Sequence, residues 1–345
     1  MTATLRRPRP PSLSPLGNLI QGYLPRQEPR QYLWDLVADY PSRSDDHLPA
    51  RLCLAMTDTF GGCLQTAAYT AAALELSLDA TLVQRDLSDG RSHRRGRPTL
   101  QRLYGLPLAI NASATLGLVS LHPLLENFQV LDTGLALQIF ELYLEGSDGV
   151  LEGFATEQRW RRLGIFEISD RDYLQMVFRE TGLLRVLVPF RAGAAIAGGM
   201  APITGECIDR FGFALGGALA ILEDLEDLLR DDSACLRRGR RTLPLIQGFR
   251  RCDWSSRQRI RKLLSPSSKP PDRSQERWLL HRVASPPVLA ASRELALSLL
   301  AMARAEHRRL VIGLPPSQGL AFLADLPEIL RLRLDELCRR IRKQP

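Results

Sequence analysis

Two stretches of this 345-residue sequence place carboxylates at helical spacing directly after an apolar run and follow them at once with arginines. In the first, A-T-L-V-Q-R-D-L-S-D-G-R-S-H-R-R-G-R-P-T, Asp86 and Asp89 stand three apart and so share one helical face. Gly90 then ends the helix, and Arg94, Arg95 and Arg97 lie on the segment that leaves it. In the second, F-G-F-A-L-G-G-A-L-A-I-L-E-D-L-E-D-L-L, Glu223 and Asp227 are four apart and Asp224 and Asp227 three apart, so one face can present three carboxylates. The sequel R-R-G-R-R-T-L-P carries Arg240 and Arg241. Magnesium suits such a set, because it takes oxygen ligands, keeps waters and is commonly held by few carboxylates together with substrate phosphates. Two facing carboxylate helices would repel each other without it. Arginines can neutralise the remaining phosphate charge and stabilise a departing phosphate group. Asp86, Asp89, Glu223, Asp224 and Asp227 are therefore the candidate Mg2+ ligands, with Asp86, Asp89, Asp224 and Asp227 the catalytic set. Either cluster alone reads as a solvated helix face; the repetition of acid followed by base favours a site.

The elements that must hold these groups are helices. Apolar residues make up 45% of the chain, with abundant Leu and Ala, few aromatics and scarce β-branched residues, a balance that favours an all-α fold with a large core. From about Gln27 one helical pattern follows another, separated by short breaks such as Gly61-Gly62, Gly105-Leu106-Pro107 and Gly313 to Ser317. Strand alternation and internal repeats are absent. Residues 1–25, rich in Arg and Pro and without the apolar core of a secretory signal, are expected to form a disordered tail. Residues 26–345 are expected to form one helical domain, with a flexible loop at 265–274 (S-P-S-S-K-P-P-D-R-S). The most apolar runs, 103–125 and 183–199, are interrupted by Pro, Asn, His or Arg and read as buried helices, with no transmembrane segment. Six cysteines without metal-ligand or disulfide-framework spacing suit reduced thiols and a cytoplasmic protein. The net charge of +8 comes mainly from arginine, whose planar fork matches phosphate oxygens. Without an RNP motif, a helix-turn-helix or aromatic interleaving, that charge points away from nucleic acid.

At these same residues the chain resembles the trans-isoprenyl diphosphate synthases, or polyprenyl synthetase family. That family carries two D-D-x-x-D motifs, the first followed by R-R-G-x-P-T. Here R-D-L-S-D-G with R-R-G-R-P-T matches the first and E-D-L-E-D the second. The likeness extends to A-A-A-L-E-L, Y-G-L-P-L-A-I-N-A, E-G-F-A-T-E at 152–157 and G-R-R-T-L-P-L-I. It implies an isoprenoid synthase-type helical bundle with a deep central cavity and an allylic isoprenoid diphosphate held at its mouth through Mg2+. Arg85, Arg94, Arg95, Arg240 and Arg241 would contact the diphosphate, while Ala80, Thr81, Phe154 and Ala220 would line the hydrocarbon pocket. The small Ala80 and Thr81 stand where the family uses bulky residues to stop the tail, which suggests a chain of about fifteen carbons or longer, with about twenty or more favoured.

Departures from the family pattern set the functional expectation. Arg85 replaces the first aspartate of the first motif and puts a permanent cation where the family ligates metal. The family's basic G-K-R grip on isopentenyl diphosphate aligns with Asp45-Asp46-His47, its following arginine with Pro49, and its Lys-Thr pair with Glu180-Thr181. Exchanging a phosphate-binding lysine for a carboxylate should cost several kcal/mol in a partly dry site. The leading expectation is therefore terpene synthase-like: one allylic diphosphate ionises and its cation cyclises or loses a proton. A chain-elongating prenyl transferase and a catalytically weak partner subunit are the alternatives. The resemblance implies a homodimer, or for the last alternative a heterodimer with another prenyl synthase.

Overall fold

The computed structural model describes residues 14–44, 46–199, 201–229 and 234–343. In chain order the helices are α1 Ser14–Gly22, α2 Asp35–Asp39, α3 Leu48–Thr59, α4 Leu64–Asp89, α5 Leu100–Tyr104, α6 Leu106–Val119, α7 His122–Val130, α8 Thr133–Arg162, α9 Asp170–Val177, α10 Val188–Ile196, α11 Pro202–Asp227, α12 Ala234–Arg237, α13 Leu243–Arg251, α14 Trp254–Leu263, α15 Arg273–Val283, α16 Pro286–Leu310 and α17 Gln318–Arg342. Between α9 and α10 the helix runs on without a break as a π-helical stretch, Phe178–Leu187. The strands among the described residues are β1 His93–Arg94 and β2 Arg97–Pro98, a two-residue antiparallel hairpin.

Two long helices carry the acidic motifs and are buried on almost every side. α4 buries Ala71, Ala72, Ala73, Leu74, Leu76, Leu78, Leu82 and Val83, with faces against α3, α6 and α7. It stops where Gly90 turns into the left-handed region (φ 62°), returning its N–H toward the carbonyls of Asp86 and Leu87. α11 lies between α16 and the π-helical stretch and buries Phe211, Ala214, Leu215, Ala218, Leu219, Ile221, Leu222 and Leu225. The hydrophobic interior has two parts, one built on α4 with α1, α2, α6 and α7, the other on α11 with α13, α16 and α17. The exit from α4 closes as a tight turn: Arg95 (φ 51°) and Gly96 (φ 74°) are both left-handed, as a type I′ hairpin requires. What reads in the sequence as a loop of arginines is thus a hairpin that brings Arg94 back to α4.

Three expectations change. Residues 1–13 of the proposed tail lie outside the described residues, but Ser14–Gly22 is helical, because Leu16, Ile20 and Leu24 recur every fourth residue and bury one stripe. The apolar run through 103–125 is not a buried helix. It is divided at Ser120-Leu121 into α6 and α7, and the window Leu106–Val130, long and apolar enough by composition to cross a membrane, is only 44% buried. Its apolar residues exceed what the single chain can cover, so Leu106, Ile110, Leu118 and Leu125 face outward. The segment around 265–274 is non-helical only to Asp272, which caps α15 through a capping box with Gln275.

Two glycines fix how closely the site's helices approach. A methyl group at Gly153 of α8 would run into the backbone nitrogen of Glu180 and lie 2.9 Å from the Met176 carbonyl oxygen; one at Gly193 of α10 would strike the Cys53 carbonyl oxygen of α3. Gly153→Ala and Gly193→Ala should each destabilise the protein by about 1–3 kcal/mol, read as a lower midpoint in urea unfolding. An unchanged midpoint would mean the helices can part without loss.

Candidate active site

The C-terminal ends of α4 and α11 meet through guanidinium groups. Arg85, in the last two turns of α4, reaches across to α11, with Nη1 2.8 Å from Glu223 Oε2. The same guanidinium lies 3.2 Å from Thr181 Oγ1 and 3.5 Å from Glu180 Oε1 on the π-helical stretch. Arg185 of that stretch grips the other oxygen of Glu223. Burial alone would raise the Glu223 pKa, but Arg185 and Arg85 reverse this and hold it below the usual carboxylate range.

Asp89 is fully buried beneath three guanidinium groups: Arg240 at 3.4 Å, Arg91 at 3.5 Å and Arg161 at 3.7 Å. Against the effect of burial, Arg240, Arg91 and Arg161 hold its pKa down. Arg240 also donates from one nitrogen, Nη2, to both oxygens of Glu180, at 2.6 and 2.7 Å. Arg91 continues to Asp227 at 2.8 Å, which also accepts from the Cys235 thiol at 3.0 Å. Arg161 pairs with Glu157 one turn earlier on α8, at 2.8 Å.

Asp86 and Asp224, the second acids of their motifs, have other partners. Asp86 accepts from the Tyr40 hydroxyl at 2.6 Å and from Arg94 at 2.5 to 3.1 Å. Asp224 accepts from the Tyr173 hydroxyl at 2.6 Å and the Leu243 N–H at 2.7 Å. Burial pushes the Asp224 carboxyl up to about 7. These two aspartates fasten α2 and the hairpin to α4, and α9 and α13 to α11.

The lattice therefore sets six guanidinium groups, Arg85, Arg91, Arg94, Arg161, Arg185 and Arg240, against six carboxyl groups, Asp86, Asp89, Glu157, Glu180, Glu223 and Asp227. Such a set does not fit a divalent ion. Among the described residues no three metal-ligating side chains converge, and the expected ligands instead meet guanidinium, hydroxyl or backbone donors. A permanently charged guanidinium cannot step aside by losing its proton.

Other expected contacts separate. Arg241 is turned away from the lattice: its Nε donates to the Ile165 carbonyl at 2.6 Å and Nη2 to that of Trp160 at 3.3 Å, with the guanidinium 3.8 Å over the Phe166 ring. It caps the end of α8 rather than a ligand, and burial lowers its pKa to about 10. Arg95 points to the buried Asp79, 3.7 Å away. Thr81 and Phe154 line one small cavity with Leu78, Arg85 and Arg185, whereas Ala80 packs beneath α6, its carbonyl accepting from Ser113 at 3.1 Å, and Ala220 is buried in the core. That cavity measures about 30 Å³, room for a single water, against the roughly 300 Å³ or more of ordinary ligand pockets. The deep pocket expected from small residues is thus filled by the side chains around it.

Sequence reasoning missed Arg91, Arg161, Arg185 and Tyr40, and it offered Tyr173 for its ring face rather than for the hydroxyl that Asp224 accepts from. Arg91 follows Gly90 directly and Arg161 stands four residues after Glu157, so both had a local signal. Tyr40 and Tyr173 reach their aspartates over 46 and 51 residues of sequence, and no spacing marks them.

Comparison with known proteins agrees with this architecture. The chain is 27% identical over 262 residues to "Geranylgeranyl diphosphate synthase" of Sulfolobus acidocaldarius, covering 73% of this chain and 77% of that one. It is 24% identical over 250 residues to "Short chain isoprenyl diphosphate synthase" of Methanothermobacter thermautotrophicus, covering 68% and 75%. Among solved structures, geranylgeranyl pyrophosphate synthetase from Pyrococcus horikoshii Ot3 superposes with a TM-score of 0.77 at 22% identity, covering 92% of this chain and 94% of that one. Polyprenyl synthase from Caulobacter crescentus CB15, complexed with calcium and isoprenyl diphosphate, gives 0.79 at 19% identity, covering 92% and 94%. These likenesses show the all-α isoprenoid synthase fold. The polyprenyl synthetase family model matches residues 47–279, and the chain belongs to that family.

Proposed function

We propose that this chain is a prenyl transferase of isoprenoid biosynthesis that acts on an allylic isoprenoid diphosphate, of the geranylgeranyl or polyprenyl diphosphate synthase type. The observation that carries the reading is the convergence of Arg85, Arg94 and Arg240 on both acidic motifs, where α4 and α11 come together. Guanidinium groups fixed in a dry site can stabilise a departing diphosphate as an allylic cation forms, because their charge is in place before the reaction begins. The geranylgeranyl synthases among its relatives favour transfer to a second isoprenoid over the terpene synthase-like reaction expected from the departures alone. Prenyl synthases of this family are generally magnesium-dependent; the carboxylates here do not fit that ion, so no step is routed through it.

One feature favours a second reading, ionisation of a single diphosphate with cyclisation or deprotonation. Glu75 and Asp79, four apart on α4, are buried with His47 Nδ1 3.2 Å from Glu75 Oε1 and the Ser44 hydroxyl 2.9 Å from the same oxygen. Burial next to Glu75 pushes the Asp79 carboxyl well above its ordinary value. His47 belongs to the segment that aligns with the family's grip on isopentenyl diphosphate; Asp45, its neighbour there, lies outside the described residues. An acidic pair at this place works against a second diphosphate.

The exposed Leu106, Ile110, Leu118, Leu125, Leu137 and Leu144 on α6, α7 and α8 support a homodimer that covers them. The reading also places the protein in the cytoplasm.

Incubation with ten- to twenty-five-carbon allylic diphosphates, with and without isopentenyl diphosphate, separates the reactions. A lengthened diphosphate is expected; hydrocarbon or alcohol formed without isopentenyl diphosphate would instead establish the second reading, and no turnover of any substrate would sink both. For the dimer, light scattering after size exclusion should give twice the 38.6 kDa chain mass, and Leu118→Asp should halve it. Finally, the hydrogen bond to Glu75 raises the His47 pKa above 6.5. Its contribution to stability is then full below that value and fades as pH rises through the raised one. The difference in urea midpoint between wild type and His47→Gln should therefore be larger at pH 6 than at pH 9; a difference that does not change with pH would refute the pairing.

A further inference from the structure

Beside Asp89 opens a groove of about 1040 Å³, bounded by the ends of α4 and α8, by α12 and by the segment after α14. Six cations wall it: Arg159, Arg161, Arg162, Arg237, Arg238 and Lys269. Arg161 is tied to Glu157 and Asp89, and Arg237 to Glu276. Arg159, Arg162, Arg238 and Lys269 form no ion pair with any described carboxylate, and all four are exposed. Among the described residues that line it, Asp89 is the one acid, and it is already held by three guanidinium groups. The described lining therefore carries a surplus of positive charge next to a lattice in which guanidinium and carboxyl groups match.

From this we propose that the chain binds a diphosphate without a divalent ion, directly on the guanidinium and ammonium groups of this groove, with Arg85 as the built-in cation of the lattice beneath it. The inference deepens the proposed function and rests on its claim that a diphosphate is the ligand.

Three observations lead to it. A bridging cation between carboxylates of α4, α11 and the helix between them is what a metal would supply, and Arg85 already supplies it, tying Glu223, Glu180 and Thr181 together. A magnesium ion entering there would have to displace a guanidinium group that keeps its charge, leaving two cations in one buried place. The anion, for its part, needs no metal where unpaired Arg and Lys donors from three separate elements already face it. Basic residues in the last turn of α8 would serve its electronegative end even without a ligand. That explanation reaches Arg159 and Arg162 but not Arg238 and Lys269, which come from other elements and close the opposite wall.

Inorganic pyrophosphate is the probe, titrated by calorimetry into the full-length protein in EDTA and again in excess MgCl2. The expected result is a dissociation constant that agrees within about threefold in the two buffers and weakens at least about tenfold in the double variant Arg162→Glu/Lys269→Glu, whose exposed positions leave the core intact. Electron paramagnetic resonance of Mn2+ should show no ion bound to the protein alone. Binding seen only with MgCl2, or Mn2+ bound by the protein alone, would overturn metal independence while leaving a diphosphate-binding enzyme. Unchanged affinity in the double variant would overturn the groove as the site. No binding in either buffer would remove both the inference and the diphosphate reading beneath it.

Discussion

The structure turns on how buried negative charge at the ends of two long helices is compensated. Carboxylates gathered at the ends of α4 and α11 cannot stay ionised in a dry interior without opposite charge at close range. Here that charge is covalent, supplied by arginines from α4, the hairpin approach, α8, the π-helical stretch and the start of α13's approach. Breaking one such buried pair commonly costs about 3–5 kcal/mol, since the partner left behind is an uncompensated charge. The lattice thus joins the two halves of the hydrophobic interior more by the penalty of separation than by net attraction.

How much of this was legible in the sequence follows from the range of each interaction. The all-α class, the end of α4 at Gly90 and the two acidic faces rest on spacings of three or four residues and could be read directly. The pairing of those faces came from the resemblance to a family and from the recurrence of arginine after acid. Which arginine meets which acid could not be read, because Arg85 finds Glu223 across 138 residues and Arg240 finds Glu180 across 60. Arg241 shows the limit well. It sits beside Arg240 in the same basic run, yet consecutive residues in an extended segment point to opposite sides, and it serves the carbonyls at the end of α8.

The hydrocarbon pocket failed for a related reason. Small residues permit a cavity only if their neighbours do not close in, and Leu78, Leu82, Val150 and Phe154 leave about 30 Å³ beside Thr81. The outward apolar face of α6 and α7 was hidden for the converse reason: hydrophobicity says that a residue seeks cover, not whether its own chain provides it.

The π-helical stretch has a geometric consequence of its own. Glu180 and Arg185 are five residues apart, which in an α-helix would set them roughly 140° apart around the axis. Bonding of each residue to the fifth one along brings such a pair nearly into line, so the acid that receives Arg240 and the base that grips Glu223 project to the same side. The wider coil thereby lets a single helix offer both signs of charge to the same junction, at a spacing that an α-helix would send to different faces.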